Sequence, residues 1–375
     1  MEKAIKTAVA LHFSDRIPVI SKGGKPLMPC KPSKARKLLK SGKAIARWSK
    51  LGLFYIQLTI EVTSAYNTNQ SFVLANDPGS KFDGFALGCK YIQLRMMAVL
   101  PSGVHKKMET RRNLRRARRF RNTRRRPCRP RSQGPDWIAP SQLAKVQFRL
   151  AIVKEICRLF PVAHFIVEDV KFDHYNKRYG KCFSTVEIGK TAYYAELRSM
   201  GILILVDGWQ TKLWRNAFGL KKCSSKSKQA PESHANDAVA MLAGLAGCEL
   251  DNAPFWVYRR PEFARRSLHR QQFQEDGIRP RFGGTCNGGN LRKGDYVQVG
   301  VNSFVKDKTG KFVKDENDKA KREVKIFYGW ACGLPTKETT EVGVMDANGK
   351  RISQFAPSKV RLLARSGNIL SQHVM

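Results

Sequence analysis

Phe72-Val73-Leu74-Ala75-Asn76-Asp77-Pro78-Gly79-Ser80 is the stretch on which the fold turns. Its first four residues form an apolar strand that runs straight into a tight turn carrying an acid. Gly84-Phe85-Ala86-Leu87-Gly88 then reads as a second strand. Residues 71–100 are therefore expected to be two strands joined by a turn. An acid at the end of an apolar strand suits metal binding. The strand fixes the carboxylate, and the turn leaves space for a substrate phosphate.

Two more segments carry an acid in a comparable place. His164-Phe165-Ile166-Val167-Glu168-Asp169-Val170 is an apolar strand ending in carboxylates. Adjacent side chains on a strand point to opposite faces, so only one of Glu168 and Asp169 can face a shared site. Ser233-His234-Ala235-Asn236-Asp237-Ala238-Val239 opens a helix, with Ser233 the expected N-cap. Asp77, Glu168 and Asp237 are candidate ligands for Mg²⁺, a hard cation that takes oxygen donors. Two such ions about 3.5–4 Å apart can clamp an in-line displacement at phosphorus. His234, three residues before Asp237, is placed to move a proton or orient water. Asp83 reads as a turn residue and Asp173 as a loop carboxylate. Ser80 and Lys81 fit either a plain turn or contact with a substrate phosphate.

Composition narrows the partners. The chain has 375 residues, enough for two or three domains, and 42% are apolar, which excludes global disorder. Lys and Arg total 69 against 30 acids, a net charge of +39. Such a surplus repels itself and needs a polyanion, for which nucleic acid is the default. The 9 cysteines include no CxxC pair, which excludes zinc-finger and thioredoxin-type motifs. Scattered cysteines fit a reducing, cytoplasmic setting. No apolar run approaches the ~20 residues of a membrane span, and the N-terminus does not read as a signal peptide. No membrane partner is expected.

The densest charge lies between Arg111 and Arg131: twelve Arg in twenty-one residues and no acid. Leu114, Ala117 and Phe120 interrupt the run at helical spacing. That favours a helix ordering fully on nucleic acid over a disordered basic arm. Arg suits phosphate because its planar fork donates bidentate hydrogen bonds. The candidates here are Arg111, Arg112, Arg115, Arg116, Arg118, Arg119, Arg121, Arg124, Arg125 and Arg126. Pro127 and Pro130 should end the helix.

At the N-terminus, Pro26-Leu27-Met28-Pro29 follows a Gly23-Gly24 turn. Pro32–Gly42 then reads as a short helix capped by Ser33, with Lys34, Arg36 and Lys37 on its basic face. Phe54–Val62 alternates like a strand. Further helices are expected from Ser141 to Leu159 and from Tyr193 to Met200, and another apolar strand over Gly201–Val206. Beyond 291 the chain reads as short strands separated by turns, a small β-barrel. Arg279, Arg281 and Arg292 are basic candidates in this tail.

Asp77-Pro78-Gly79-Ser80, Val167-Glu168 and His234-Ala235-Asn236-Asp237 resemble the three split motifs of RuvC-like nucleases. The Pro26-Leu27-Met28-Pro29 module resembles the PLMP domain that begins the IscB and IsrB proteins of transposons. The Arg-rich run is similar to their bridge helix, and Trp137-Ile138-Ala139-Pro140-Ser141 fits the pattern that follows it. IscB carries an HNH nuclease between the second and third motifs. Here Glu168 and His234 are 66 residues apart and His174 is the only histidine between them, so the chain resembles IsrB.

The resemblance implies an α/β protein with an RNase H-like (RuvC) mixed sheet and flanking helices. Its parts would be a PLMP module (1–62), RuvC part I (63–104) and an Arg-rich bridge helix (105–131). RuvC parts II and III (132–250), a basic RNA-interacting segment (251–290) and a β-rich target-adjacent-motif-interacting domain (291–375) would follow. The implied activity is an RNA-guided DNA nickase. An omega RNA would pair with one strand of a double-stranded target bearing a short flanking motif, and the RuvC site would nick the displaced strand. Asp77, Glu168 and Asp237 would hold two Mg²⁺, for which Mn²⁺ could substitute, and His234 would join them in catalysis. One protein per RNA is implied, in a prokaryotic cytoplasm at the nucleoid. A RuvC nuclease cutting both strands and a non-catalytic RNA-binding protein are the competing readings.

Overall fold

The strand that carries Asp77 lies in the middle of its sheet. In the computed structural model the described residues are 16–61, 71–102, 104–120, 137–169, 171, 186–223, 230–251, 253–261, 273–274, 277–278, 291–304, 322–334, 341–365, 367 and 369–374. They fall into two units: Gln70–Ile156 with Val162–Phe255, and Met1–Asn69 with Cys157–Pro161 and Trp256–Met375.

The N-terminal module holds β1 (Ile17–Ile20), β2 (Pro26–Cys30), α1 (Pro32–Lys40), β3 (Ala44–Trp48) and β4 (Phe54–Leu58). Its sheet order is β2-β1-β4-β3. Lys31, not Ser33, is the N-cap of α1, because Pro32 takes the first helical position, where its missing N–H costs nothing. The strand expected over Phe54–Val62 stops at Leu58. Val62 lies outside the described residues.

The other unit begins with β5 (Phe72–Asp77), β6 (Phe82–Gly88) and β7 (Ile92–Val99). Three strands occupy residues 71–100, not two, because the Ile92–Val99 run also alternates and pairs with β6 along its length. Next come α2 (Val104–Phe120), α3 (Pro140–Leu159), β8 (Val162–Glu168), α4 (Lys190–Met200), β9 (Ile202–Val206), α5 (Gly208–Ala217) and α6 (Pro231–Ala246). The strands follow the order β7-β6-β5-β8-β9. β5, β6 and β7 are antiparallel neighbours, while β8 and β9 run parallel to β5. This mixed order, with helices on the faces, is the RNase H-like fold.

Small residues bring α6 onto the sheet. Ala75 and Ala86 are opposite one another on β5 and β6, and both are buried against Ala238, Met241 and Leu242. Closest of all is Gly84, where a Cβ would stand 1.9 Å from the His234 carbonyl oxygen. Only a residue without a side chain lets the start of α6 lie on β6. Pro231 occupies the first turn of α6, so Ala230 is the N-cap in place of Ser233. Ser233 Oγ instead accepts the Cys223 backbone N–H. Likewise α3 starts at Pro140, which puts Ser141 inside its first turn. The sequence reading had no counterpart of α5.

In the remaining unit, β10 (Phe255–Arg259) is followed by a hairpin of β11 (Phe273–Gln274) and β12 (Gly277–Ile278). The tail holds β13 (Tyr296–Phe304), β14 (Arg322–Gly333), β15 (Val342–Met345), β16 (Arg351–Phe355), β17 (Val360–Ala364) and β18 (Leu370–Val374). β13 to β17 form an antiparallel sheet ordered β16-β15-β14-β13-β17. Val297, Val299, Ala331, Val342 and Val344 close its core. Among the described residues no pairing joins β16 to β17, so the expected barrel is an open sheet. Trp48 of β3 packs edge-on to Tyr296 at 5.8 Å, which fastens the N-terminal module to the tail.

Candidate metal centre

Three carboxylates converge. Asp77 ends β5, Glu168 ends β8 and Asp237 sits in the second turn of α6. One oxygen from each lies within 4.8 Å of the others. Sheet pairing explains the first two: β5 and β8 run parallel in register, with Asn76 opposite Val167, so their ends coincide. The close seat of α6 on Gly84 brings the third.

Crowded acids with little water are held out of their ordinary range. Burial pushes the Asp77 carboxyl well above the usual carboxylate value, and the negative charges of Glu168 and Asp237 push it further. Burial also raises Glu168, and Asp237 adds to it, while Lys222 and Arg215 pull the other way. Asp237 is 1% exposed and takes both of those cations. Arg215 of α5 donates to Oδ1 at 2.6 Å, and Lys222 donates to Oδ2. Among the described residues Glu168 Oε2 is buried with no hydrogen-bond partner. A buried carboxylate oxygen without a donor is costly unless a cation completes it. The donor set therefore fits a hard divalent cation.

The turn after Asp77 is clamped from α3. Arg149 Nε donates to Asp83 Oδ2 at 2.5 Å, and Nη2 donates to Asp83 Oδ1 at 3.1 Å and to the Gly79 carbonyl at 2.8 Å. Gly79 N–H donates back to Asp83 Oδ1 at 2.7 Å. Lys145 Nζ adds a bond to the Ser80 carbonyl at 2.7 Å. Gly79 itself has no room for a side chain, since a Cβ would stand 1.8 Å from the Phe82 carbonyl oxygen. Asp83, read from sequence as a turn residue, is the second residue of β6, fully buried, and holds the turn closed. Asn76, beside Asp77, accepts from Tyr193 OH at 3.0 Å and donates to the Gly84 carbonyl at 2.9 Å.

Glu168 and Asp169 part as strand geometry requires. Asp169 accepts from Lys190, and from Tyr194 OH at 3.0 Å, both on α4. The His234 ring is not in the carboxylate group; it lies against Phe82 with ring centroids 4.6 Å apart. Asp173 lies outside the described residues. Arg149, Arg215 and Lys222 were missed by sequence reading, and Asp83 was read only as a turn residue. Only a buried-arginine signal could have found the first, and none existed in a chain this rich in arginine.

Of the basic candidates, Arg111, Arg112, Arg115, Arg116 and Arg119 are exposed on α2, as are its apolar Leu114 and Phe120, the latter 91% exposed. The backbone of Arg118 is in the same helix. Arg121, Arg124, Arg125, Arg126, Arg279 and Arg281 lie outside the described residues. Lys34, Arg36 and Lys37 are exposed on α1, and Arg292 is exposed at the start of the tail sheet.

Residues 17–189 match the model of a family described as "RRXRR protein". That stretch contains Arg115-Arg116-Ala117-Arg118-Arg119. Among solved structures, Thermus thermophilus RuvC in complex with a Holliday junction substrate is 16% identical, with 45% of this chain and 88% of that chain covered and a TM-score of 0.26. A second Thermus thermophilus RuvC structure is 16% identical over 45% of this chain and 89% of that one, with a TM-score of 0.22. No curated protein matches the chain. No described helix is long and apolar enough to cross a membrane.

Proposed function

We propose that the chain is a metal-dependent DNA endonuclease of the RuvC kind, and that it acts as an RNA-guided nickase like IsrB. The observation that carries the nuclease reading is the convergence of Asp77, Glu168 and Asp237 on an RNase H-like sheet. The guided reading draws on the exposed Arg helix, the match to the RRXRR family and the net charge of +39. A +39 chain holds nucleic acid mainly through phosphate, which supplies affinity without sequence. Sequence would then be read by base pairing with an omega RNA.

Asp77, Glu168 and Asp237 would hold the metal, Mg²⁺ by donor type. When bound, divalent cations supply an activated water and stabilise the leaving 3′ oxygen. The chain's own groups prepare that place. Arg149 and Asp83 keep the turn beside Asp77 rigid. Arg215 and Lys222 offset the charge of Asp237. His234, three residues before Asp237 on the same helix and braced by Phe82, is assigned the proton-handling role. The α2 arginines and those on α1 would grip RNA and DNA phosphates. The duplex target, its flanking motif and one protein per RNA belong to the same proposal.

The test is strand-resolved cleavage. The chain is purified with the RNA encoded beside its gene and given a matched duplex with a different label on each strand, in Mg²⁺ and in EDTA. A guide-dependent, metal-dependent nick in the displaced strand alone is expected. An intact displaced strand in Mg²⁺ overturns the reading, and cuts in both strands reassign the protein to double-strand cutters.

A further inference from the structure

We infer that a second nucleic-acid site, separate from the carboxylates, takes a single unstacked nucleotide between the N-terminal module and the tail sheet. One cavity of about 740 Å³ lies there. That volume is within the usual range for a small-ligand pocket. Its two walls are rows of cross-strand neighbours. Tyr328, Gln298 and Arg361 stand directly opposite one another on β14, β13 and β17, so they share one sheet face. Arg47 and Tyr55 are opposite one another on β3 and β4.

The chemistry of these rows matches a nucleotide part by part. The Tyr328 ring lines the cavity, 6.0 Å from the Trp48 ring and 6.4 Å from the Tyr296 ring, an aromatic group against which a base can pack. A glutamine amide beside it can donate and accept, as a base edge requires. Arg47 and Arg361 are exposed at the rim, where a phosphate would lie. Arg158 enters already oriented, 4.9 Å above the Tyr55 ring and bonded to its hydroxyl at 3.3 Å. The lining includes Lys50 and Arg365 besides these cations and contains no carboxylate. A cationic ligand would find no charge partner there, whereas a phosphate would find several. Aromatic faces with an amide and flanking guanidinium groups are how proteins hold unpaired bases. A paired duplex base has neither face free to enter.

The proposal does not depend on the carboxylate chemistry, so a chain that fails to nick can still pass this test. The full chain, stripped of copurified RNA in high salt, is titrated with labelled oligouridylate, oligothymidylate and a blunt RNA duplex. Moderate salt is used to suppress general phosphate binding. Tyr328→Ala should weaken single-strand binding about tenfold and leave duplex binding unchanged. Tyr328→Phe should restore it, since the ring face is kept. Arg361→Ala, an exposed change, gives the same selective loss even if Tyr328→Ala perturbs folding. Loss confined to oligouridylate assigns RNA as the source, and loss with oligothymidylate assigns DNA. Equal loss on single strand and duplex, or no loss with either variant, overturns the site.

Discussion

Arg149 of α3 and Asp83 of β6, 66 residues apart in sequence, form a buried two-bond ion pair with Nε to Oδ2 at 2.5 Å. Their side chains are 5% and 0% exposed. The same guanidinium reaches the Gly79 carbonyl, so one arginine ties a helix to the turn that presents Asp77.

Removing Arg149 leaves Asp83 buried without its counter-charge, with only the Gly79 N–H still donating to it. Arg149→Met should destabilise the protein by about 3–5 kcal/mol. Arg149→Met with Asp83→Asn should cost less than the sum of the single changes. Urea unfolding of the three variants measures both, and additive losses would mean that the pair is not coupled.

The raised carboxyls of Asp77 and Glu168 make the metal-free fold sensitive to pH. Their folded pKa values lie above the unfolded ones, so the folded state binds more protons. Stability should therefore fall as pH rises from the ordinary carboxylate range through the raised values. Asp77→Asn should raise the melting temperature in EDTA at neutral pH and flatten this slope. Asp237→Asn should instead lower the melting temperature, because it strands Arg215 and Lys222 beside a neutral group, at about 1–3 kcal/mol. Melting in EDTA separates the two asparagine variants by sign.

Mg²⁺ should raise the melting temperature of the unaltered chain, because a ligand held only by the folded state stabilises it by mass action. Glu168→Gln keeps the shape and removes the charge that the orphaned oxygen carries. Its melting temperature should no longer respond to Mg²⁺, as thermal scans with and without EDTA will show.

Gly84→Ala places a methyl carbon where the His234 carbonyl oxygen now sits, 1.9 Å away. The helix must shift, at about 1–3 kcal/mol. Since α6 carries Asp237, the variant should also weaken the Mg²⁺ response in the same thermal scans.

Single Arg→Ala changes at Arg111, Arg112, Arg115 or Arg116 should leave stability unchanged, because all four are exposed. Each should lower the slope of log affinity against log salt for duplex DNA by about 0.9 for every phosphate the arginine no longer neutralises. Salt titrations by fluorescence anisotropy test this, and unchanged slopes would remove α2 from the interface.

Much of the unit that holds the three carboxylates was legible in the chain itself. Apolar runs ending at Asp77 and Glu168 marked strands that are buried on both faces, and such strands read as continuous hydrophobic stretches. Charge counting and the Arg run announced a polyanion without any fold, because net charge survives every arrangement of the chain. Helix starts were less legible at Ser33, Ser141 and Ser233. A proline just before or within each first turn set the start, and a capping residue type then had no cap to make.

What the sequence determined by itself was local: which segments alternate and which acids end apolar strands. Tertiary structure decided the rest. It chose which cation answers which acid, pairing Arg149 with Asp83, and Arg215 and Lys222 with Asp237, out of 69 basic residues. It also set Tyr328, Gln298 and Arg361 in one row from three separate strands. The physical reason is range. Strand and helix periodicity act over a few residues. A hydrogen bond or a cross-strand row depends on distances fixed only when remote segments share one core.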